Sequence, residues 1–280
     1  MSGRKVRRLV TLSTDIGWAY AAQIKSVLLR DVPPERIVDL AHDLPAHQVD
    51  ASSFLLREMA RRFPSGTVHL AVVDPGVGGR RAPVAIACRE GSYLVGPDNG
   101  LLAPLAELFG VREVRRIRPR AGPRVGATFD GRDLFAPAAA ALAIGRRFST
   151  LGPRSSLHRR KRPLPSRTRS GLDGRILWVD PFGNLITDLP SEWWPSSVTR
   201  ARLVIHGRSW PLVTVRVYEE LGSRALGVLP SSFGLLEVAA RERPSSARTF
   251  GAVGDRLRLE FARPPAGASG ADAIPPQERK

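Results

Sequence analysis

The sequence predicts an α/β protein: an N-terminal α/β domain with a mostly parallel central sheet, followed by a C-terminal all-β, barrel-like domain. Three observations carry that expectation. Over residues 1–150, short β-rich runs alternate with stretches of helical spacing. Over residues 151–170, proline and arginine break the pattern, as expected of a linker. Over residues 171–262, only short strand-like runs remain, separated by Gly, Pro and Ser turns.

The elements follow in order. VRRLVTLSTD reads as a strand running into a polar loop, AYAAQIKSVLLRD as a helix and RIVDLAH as a second strand. VDASSFLLREMARRF reads as a helix with Leu55, Leu56, Met59 and Phe63 on one stripe. TVHLAVVDPG, APVAIACR and SYLVGPDNG are further strands, and LLAPLAELFG is a helix. FAPAAAALAIG closes the first domain as a helix opened by Pro137, where a missing N–H does no harm. GRILWVD, NLITDL, ARLVIHG, WPLVTVRVY, ALGVLP, LLEVAA and DRLRLEF are the strands of a small barrel. Residues 263–280 have no apolar periodicity and are expected to be disordered.

Composition excludes several classes. No apolar run reaches the ~18–20 residues of a membrane-spanning helix. The basic N-terminus passes at once into a strand without the apolar core of a secretory signal, so a cytoplasmic protein is expected. The lone Cys88 rules out an internal disulfide and a cysteine-based zinc site, and reads as a buried strand residue. The net charge of +17 invites a nucleic-acid reading. Against it, only four of the 43 basic residues are lysines, and the arginines concentrate at 112–124 and 154–169 without interleaved aromatics to stack bases. Nucleic acid is therefore not the expected partner.

Three acids stand where strands run out into glycine-rich turns: Asp15 in STDIG, Asp74 in VVDPGVG and Asp98 in GPDNG. The carboxyl ends of parallel strands form the ligand crevice of an open α/β sheet. A carboxylate there suits a polar ligand such as a ribose with paired hydroxyls. Each acid taken singly also serves as a turn former bonded to its own backbone. DPGVGGRR is a weak match to a phosphate loop, because it lacks both the GK[ST] ending and the GxGxxG spacing. In the second domain, VDPFGNLITD places Asp180 and Asn184 around a turn at a strand end. A carboxylate can hold an ammonium there, and an amide can read an adenine edge.

These segments resemble a known family. TD-x-G, RIVDLAHDLP, FPSGTVHLAVVDPGVG-x-RR, GPDNGLL, TF-x-GRDLFAPAAA, DPFGNLITDL and SSFGLLEVA occur in this order. Over residues of about 9–260 they resemble the S-adenosylmethionine (SAM) hydroxide adenosyltransferases, relatives of the fluorinating and chlorinating SAM enzymes. The resemblance implies nucleophilic substitution at the ribose C5′ of SAM with expulsion of methionine. Water as nucleophile gives adenosine. It also implies a homotrimer with SAM held between subunits, and no metal or further cofactor. By the same resemblance, Asp15 would bind the ribose hydroxyls. Asp74 and Arg81 would hold and activate water, with Arg80 open as a substitute one residue away. Asp98, Asn99 and Phe129 would line the pocket. Asp180 would grip the methionine ammonium, with Asn184 assisting. Tyr218 would stack on adenine, Ser232 would meet the methionine carboxylate, and the backbone near Ala247 would read the adenine edge.

The chain departs from the family pattern at three places. Where hydrolytic members have a histidine in TFHGRD, this chain has Asp130, which would join Asp74 and Arg81 as the third catalytic group. Two close carboxylates raise one another's pKa, and an intervening guanidinium offsets this. The loop after TDIG is shorter and lacks a second acid. The segment between Arg81 and Gly96 has no room for the extra loop of the halogenating members, and His47 stands where they carry a tryptophan. SAM hydrolysis is the expected activity. The alternatives are a SAM- or adenosine-binding protein without turnover and, third, a halogenase.

Overall fold

The computed structural model describes residues 8–119, 128–158, 163–223, 225–241 and 250–262. It divides into two compact units, Met1–Lys161 and Arg162–Lys280. The predicted tail at 263–280 and the Ala247 position lie outside the described residues.

The N-terminal unit is built on six strands: β1 Val10–Thr14, β2 Ile37–Ala41, β3 Val68–Val72, β4 Pro83–Cys88, β5 Tyr93–Pro97 and β6 Val111–Arg116. They lie in the order β2-β1-β3-β5-β4-β6. β1 pairs in parallel with β2 and β3, and β3 with β5, while β4 is antiparallel to both its neighbours. Five strands therefore share one direction, and the sheet is mostly parallel as predicted. Helices α1 Gly17–Leu28, α2 Val49–Ala60, α3 Ala103–Phe109 and α4 Ala136–Ala143 cover both faces.

Side-chain alternation explains why two helical layers are needed. Val68, Leu70 and Val72 of β3 pack with Ile24 and Leu28 of α1 and the alanines of α4. Ala71 and Val73 instead pack with Leu56 and Ala60 of α2 and Leu105 of α3. Strands buried on both faces need the near-continuous apolar runs this sequence supplies. Cys88 sits in this second core, as expected, and burial pushes its thiol up to about 12. In α2 the stripe is displaced from the predicted one. Ala51, Phe54, Leu56 and Ala60 are the buried apolar positions, and Leu55 and Met59 are only partly covered.

Strand β6 falls in the arginine-rich stretch to which the sequence assigned no element. It is an edge strand with only Val114 buried, and charged edge positions discourage pairing with other chains.

The C-terminal unit contains β7 Ser166–Thr168, β8 Gly171–Val179, β9 Leu185–Pro190, β10 Arg200–Ile205, β11 Arg208–Thr214, β12 Leu226–Pro230, β13 Leu235–Ala240 and β14 Arg256–Phe261. Pairing of β14 with β8 closes the seven strands β8 to β14 into a barrel. Leu172, Leu185, Leu203, Leu212, Val228, Val238 and Leu259 fill it. The segment at 151–170 is shared between the units. Arg118 N and Ser155 N donate to Leu151 O and Val114 O in the first unit, and β7 pairs with β8 in the second.

Candidate active site

The chain leaves β1, passes through α1 and returns to one side of β1 as β2, then crosses through α2 to the other side as β3. Between β1 and β3 the sheet therefore reverses its winding, and ligands of such sheets bind beyond the strand ends at that point. A cavity of about 620 Å³ lies there, lined by Asp15, Tyr20, His47, Asp74, Phe129 and Asp130 among others.

Asp15 follows directly on β1. Its Oδ2 accepts a hydrogen bond from the backbone N of His47 at 3.1 Å. His47 holds a left-handed backbone, φ 61°, unusual for a residue with a side chain. The neighbouring turn is anchored from below: Gly17 N donates to His42 O at 2.9 Å, and the buried His42 ring bonds Thr14 (3.0 Å) and Asp39 (3.1 Å). His42 thus orders its loop. Because α1 begins at Gly17, the place of the absent second acid is taken by exposed aromatics. Trp18 meets the His42 ring edge-on, and Tyr20 meets Phe129 edge-on at 5.6 Å.

Asp74 lies two residues beyond β3, and Arg81 returns to it across the DPGVGGRR loop. Arg81 Nε donates to Asp74 Oδ1 (3.0 Å) and Oδ2 (2.8 Å), and Nη2 donates to Asp74 again and to Asp130 Oδ2 (2.6 Å). The guanidinium lies 5.5 Å from the centre of the Phe135 ring. It is Arg81, not the exposed Arg80, that makes these bonds. Burial works against the charge on Arg81, but the two carboxylates outweigh it and hold the guanidinium pKa above its ordinary value.

Asp130 is 6% exposed at the entry to a π-helical turn, Gly131–Phe135, that continues into α4. Such turns often occur at functional sites, where the wider winding redirects side chains. A Cβ on Gly131 would sit 2.9 Å from Ile24 Cδ1, the flexible tip of an α1 side chain.

Asp98 and Asn99 do not join this cluster. Asp98 accepts from the backbone N of His158 at 2.9 and 3.2 Å, and burial raises its pKa. Asn99 Nδ2 donates to Val73 O at 2.8 Å, so it steadies the strand end beside Asp74 rather than lining the cavity. The turn after β5 that carries this pair lies one strand away from the β1/β3 crevice.

In the C-terminal unit, Asp180 and Asn184 form the hairpin turn between β8 and β9. Asp180 Oδ1 accepts from Asn184 N (2.8 Å) and Oδ2 from Asn184 Nδ2 (2.9 Å). Asn184 Nδ2 also lies 3.4 Å from the Tyr218 hydroxyl, which donates to Glu237. Phe182 at the turn tip is 73% exposed and Tyr218 is 50% exposed. Ser232 is exposed in the turn between β12 and β13. Sequence reading missed Glu237. Its signal was a lone acid in the otherwise apolar strand LLEVAA.

A (R)-S-adenosyl-L-methionine hydrolase of Salinispora tropica is 36% identical over 261 residues, covering 89% of this chain and 97% of its own. One from Thermus thermophilus is 40% identical over 242 residues, covering 83% and 90%. The crystal structure of an uncharacterized conserved protein from Thermotoga maritima superposes with a TM-score of 0.80 at 30% identity, over 90% of this chain and all of that one. Residues 10–152 match the SAM hydroxide adenosyltransferase N-terminal domain and residues 174–258 match its C-terminal domain, so the chain belongs to that family.

Proposed function

We propose that this protein hydrolyses S-adenosyl-L-methionine to adenosine and L-methionine. The observation that carries the reading is the Asp74–Arg81–Asp130 cluster, set in the β1/β3 crevice with Asp15 on its rim. Asp15 holds the ribose hydroxyls and so presents C5′ to the cluster. A water held by the carboxylates attacks C5′ in line with the C5′–S bond. The new C5′–O bond forms as the C5′–S pair leaves with sulfur, which becomes the neutral thioether of methionine. The water's proton passes to the Asp74/Asp130 pair, which the Arg81 guanidinium bridges. Sulfonium is already a good leaving group, so positioning and local desolvation supply most of the catalysis. No metal or cofactor is needed.

The second half of the site belongs to the C-terminal unit, where Asp180 takes the methionine ammonium and Tyr218 the adenine. We propose a homotrimer acting in the cytoplasm, with the cleft of one subunit completed by a neighbour's C-terminal unit. The exposed Trp18, Tyr20 and Val77 near the cleft and Phe182 and Tyr218 near Asp180 suit such covering. Among the described residues, no helix is long and apolar enough to cross a membrane.

Incubation of the purified protein with SAM, followed by chromatographic separation of products, tests the reading. Adenosine and methionine in equal amounts are expected. A halogenated adenosine in the presence of chloride, or SAM bound and recovered intact, would overturn it. Asp130→His, which restores the residue of the resembled hydrolases, is expected to keep turnover and shift its pH profile toward the range in which imidazole titrates.

A further inference from the structure

The Glu237 carboxylate has no place in the mechanism above, yet the fold buries it to 4% exposure, close to a second buried acid. It stands in β13 opposite Ile186 of β9. Its strand neighbours Leu236 and Val238 point into the barrel core, so strand alternation places Glu237 on the other face. Burial raises its pKa, the Tyr218 hydroxyl lowers it, and the nearby Asp180 raises it again. An acid so placed does little for stability, and groups held at such a cost gather at functional sites.

What Glu237 does hold is Tyr218. That residue begins a short 3-10 turn, Tyr218–Glu220, between β11 and β12, and residues 216–220 are all exposed. Its hydroxyl reaches away from the turn, donating to Glu237 and lying 3.4 Å from Asn184 Nδ2, which is itself tied to Asp180. The ring is thus fixed at its polar end and half exposed along its body. Burial and the bond to Glu237 push the phenol pKa well up.

We propose that Glu237 is a positioning residue: by holding the Tyr218 hydroxyl it preorganises the Tyr218 ring as a stacking platform for the purine of the substrate. A ring fixed before binding loses less side-chain freedom when a flat ligand stacks on it. The inference rests on the reading of SAM as substrate, and names Glu237 as what sets affinity at its adenine end.

Glu237→Gln keeps the shape and removes the charge, and Tyr218→Phe keeps the ring and removes the hydroxyl. Each is expected to raise KM for SAM and Kd for adenosine about tenfold, with kcat changed less than about twofold. The double variant is expected to be no worse than either single one, because both cut the same link. Methionine binding should not move. The idea is overturned if Glu237→Gln leaves adenosine affinity intact, if the two effects add, or if methionine binding weakens while adenosine binding does not. That last result would assign Glu237 to the amino-acid end through its charge. Wild-type protein that binds neither SAM nor adenosine would instead sink the proposed function and the purine assignment with it. The link itself has its own readout: the Tyr218 phenol, identified as the titration missing from Tyr218→Phe, should ionise at lower pH in Glu237→Gln. An unchanged phenol titration would refute the positioning role whatever the substrate.

Discussion

The two units each carry a pair of buried acids, and they satisfy them in opposite ways. Asp74 and Asp130 share one guanidinium, which donates to both from within the same unit. Among the described residues, Asp180 and Glu237 have only uncharged donors in their hydrogen bonds, from Asn184 and the Tyr218 hydroxyl. In the first pair the guanidinium offsets one of the two carboxylate charges. The second pair has no such guanidinium bonded to it among the described residues, which leaves room for a cation supplied by a ligand. Charge compensation, more than the acids themselves, distinguishes the two pairs.

The comparison breaks most severely at Arg81. Arg81→Met leaves two buried carboxylates without their cation and is expected to destabilise the N-terminal unit by about 3–5 kcal/mol. SAM turnover should fall by about a thousandfold. Thermal melts and single-turnover assays measure the two losses, and a variant that stayed active would remove Arg81 from the mechanism.

The units should also part company in acid. Burial pushes His69, bonded to Thr11 at 2.8 Å, down to about 4 from its ordinary 6.5. The unfolded chain therefore takes up this proton first. The stability due to neutral His69 is complete above pH 6.5 and is lost as pH falls toward 4. The loss amounts to roughly 3 kcal/mol. Glu237 behaves oppositely, since its raised pKa means that protonation relieves the C-terminal unit. Calorimetry over this range should show the N-terminal unit melting first. His69→Leu should flatten its acid limb, while sacrificing about 1 kcal/mol at neutral pH for the orphaned Thr11 hydroxyl.

Asp180→Asn removes the carboxylate that the proposed function assigns to the methionine ammonium. KM for SAM should rise about tenfold and methionine inhibition should weaken in parallel, with adenosine affinity unmoved. Inhibition kinetics with the two products would show whether the ammonium reading is right. The smallest effect is expected from Gly131→Ala. The added Cβ presses on the tip of Ile24, a flexible side chain that can give way, so about 1 kcal/mol of stability and a few-fold change in turnover are expected.

Much of this molecule is legible along the chain because it is written in local patterns. The apolar runs of β1, β3 and β5, the helical spacing of α1 and α2, and the acids at strand ends all follow from side-chain period and turn chemistry. The misses have a common cause. β6 was hidden by arginines that an edge strand can expose. Glu237 read as one charge in a strand, because its partner lies 19 residues away in another turn.

The sequence by itself determined that an α/β unit precedes a β-barrel, that acids close its strands, and that an aspartate replaces the histidine of the resembled hydrolases. Only the tertiary structure decided that the winding reverses between β1 and β3, that Arg81 rather than Arg80 bridges Asp74 and Asp130, and that Tyr218 rests on Glu237. Those facts depend on which strands become neighbours and in what register. Packing on both faces of the sheet sets that, and no local stretch of sequence contains it.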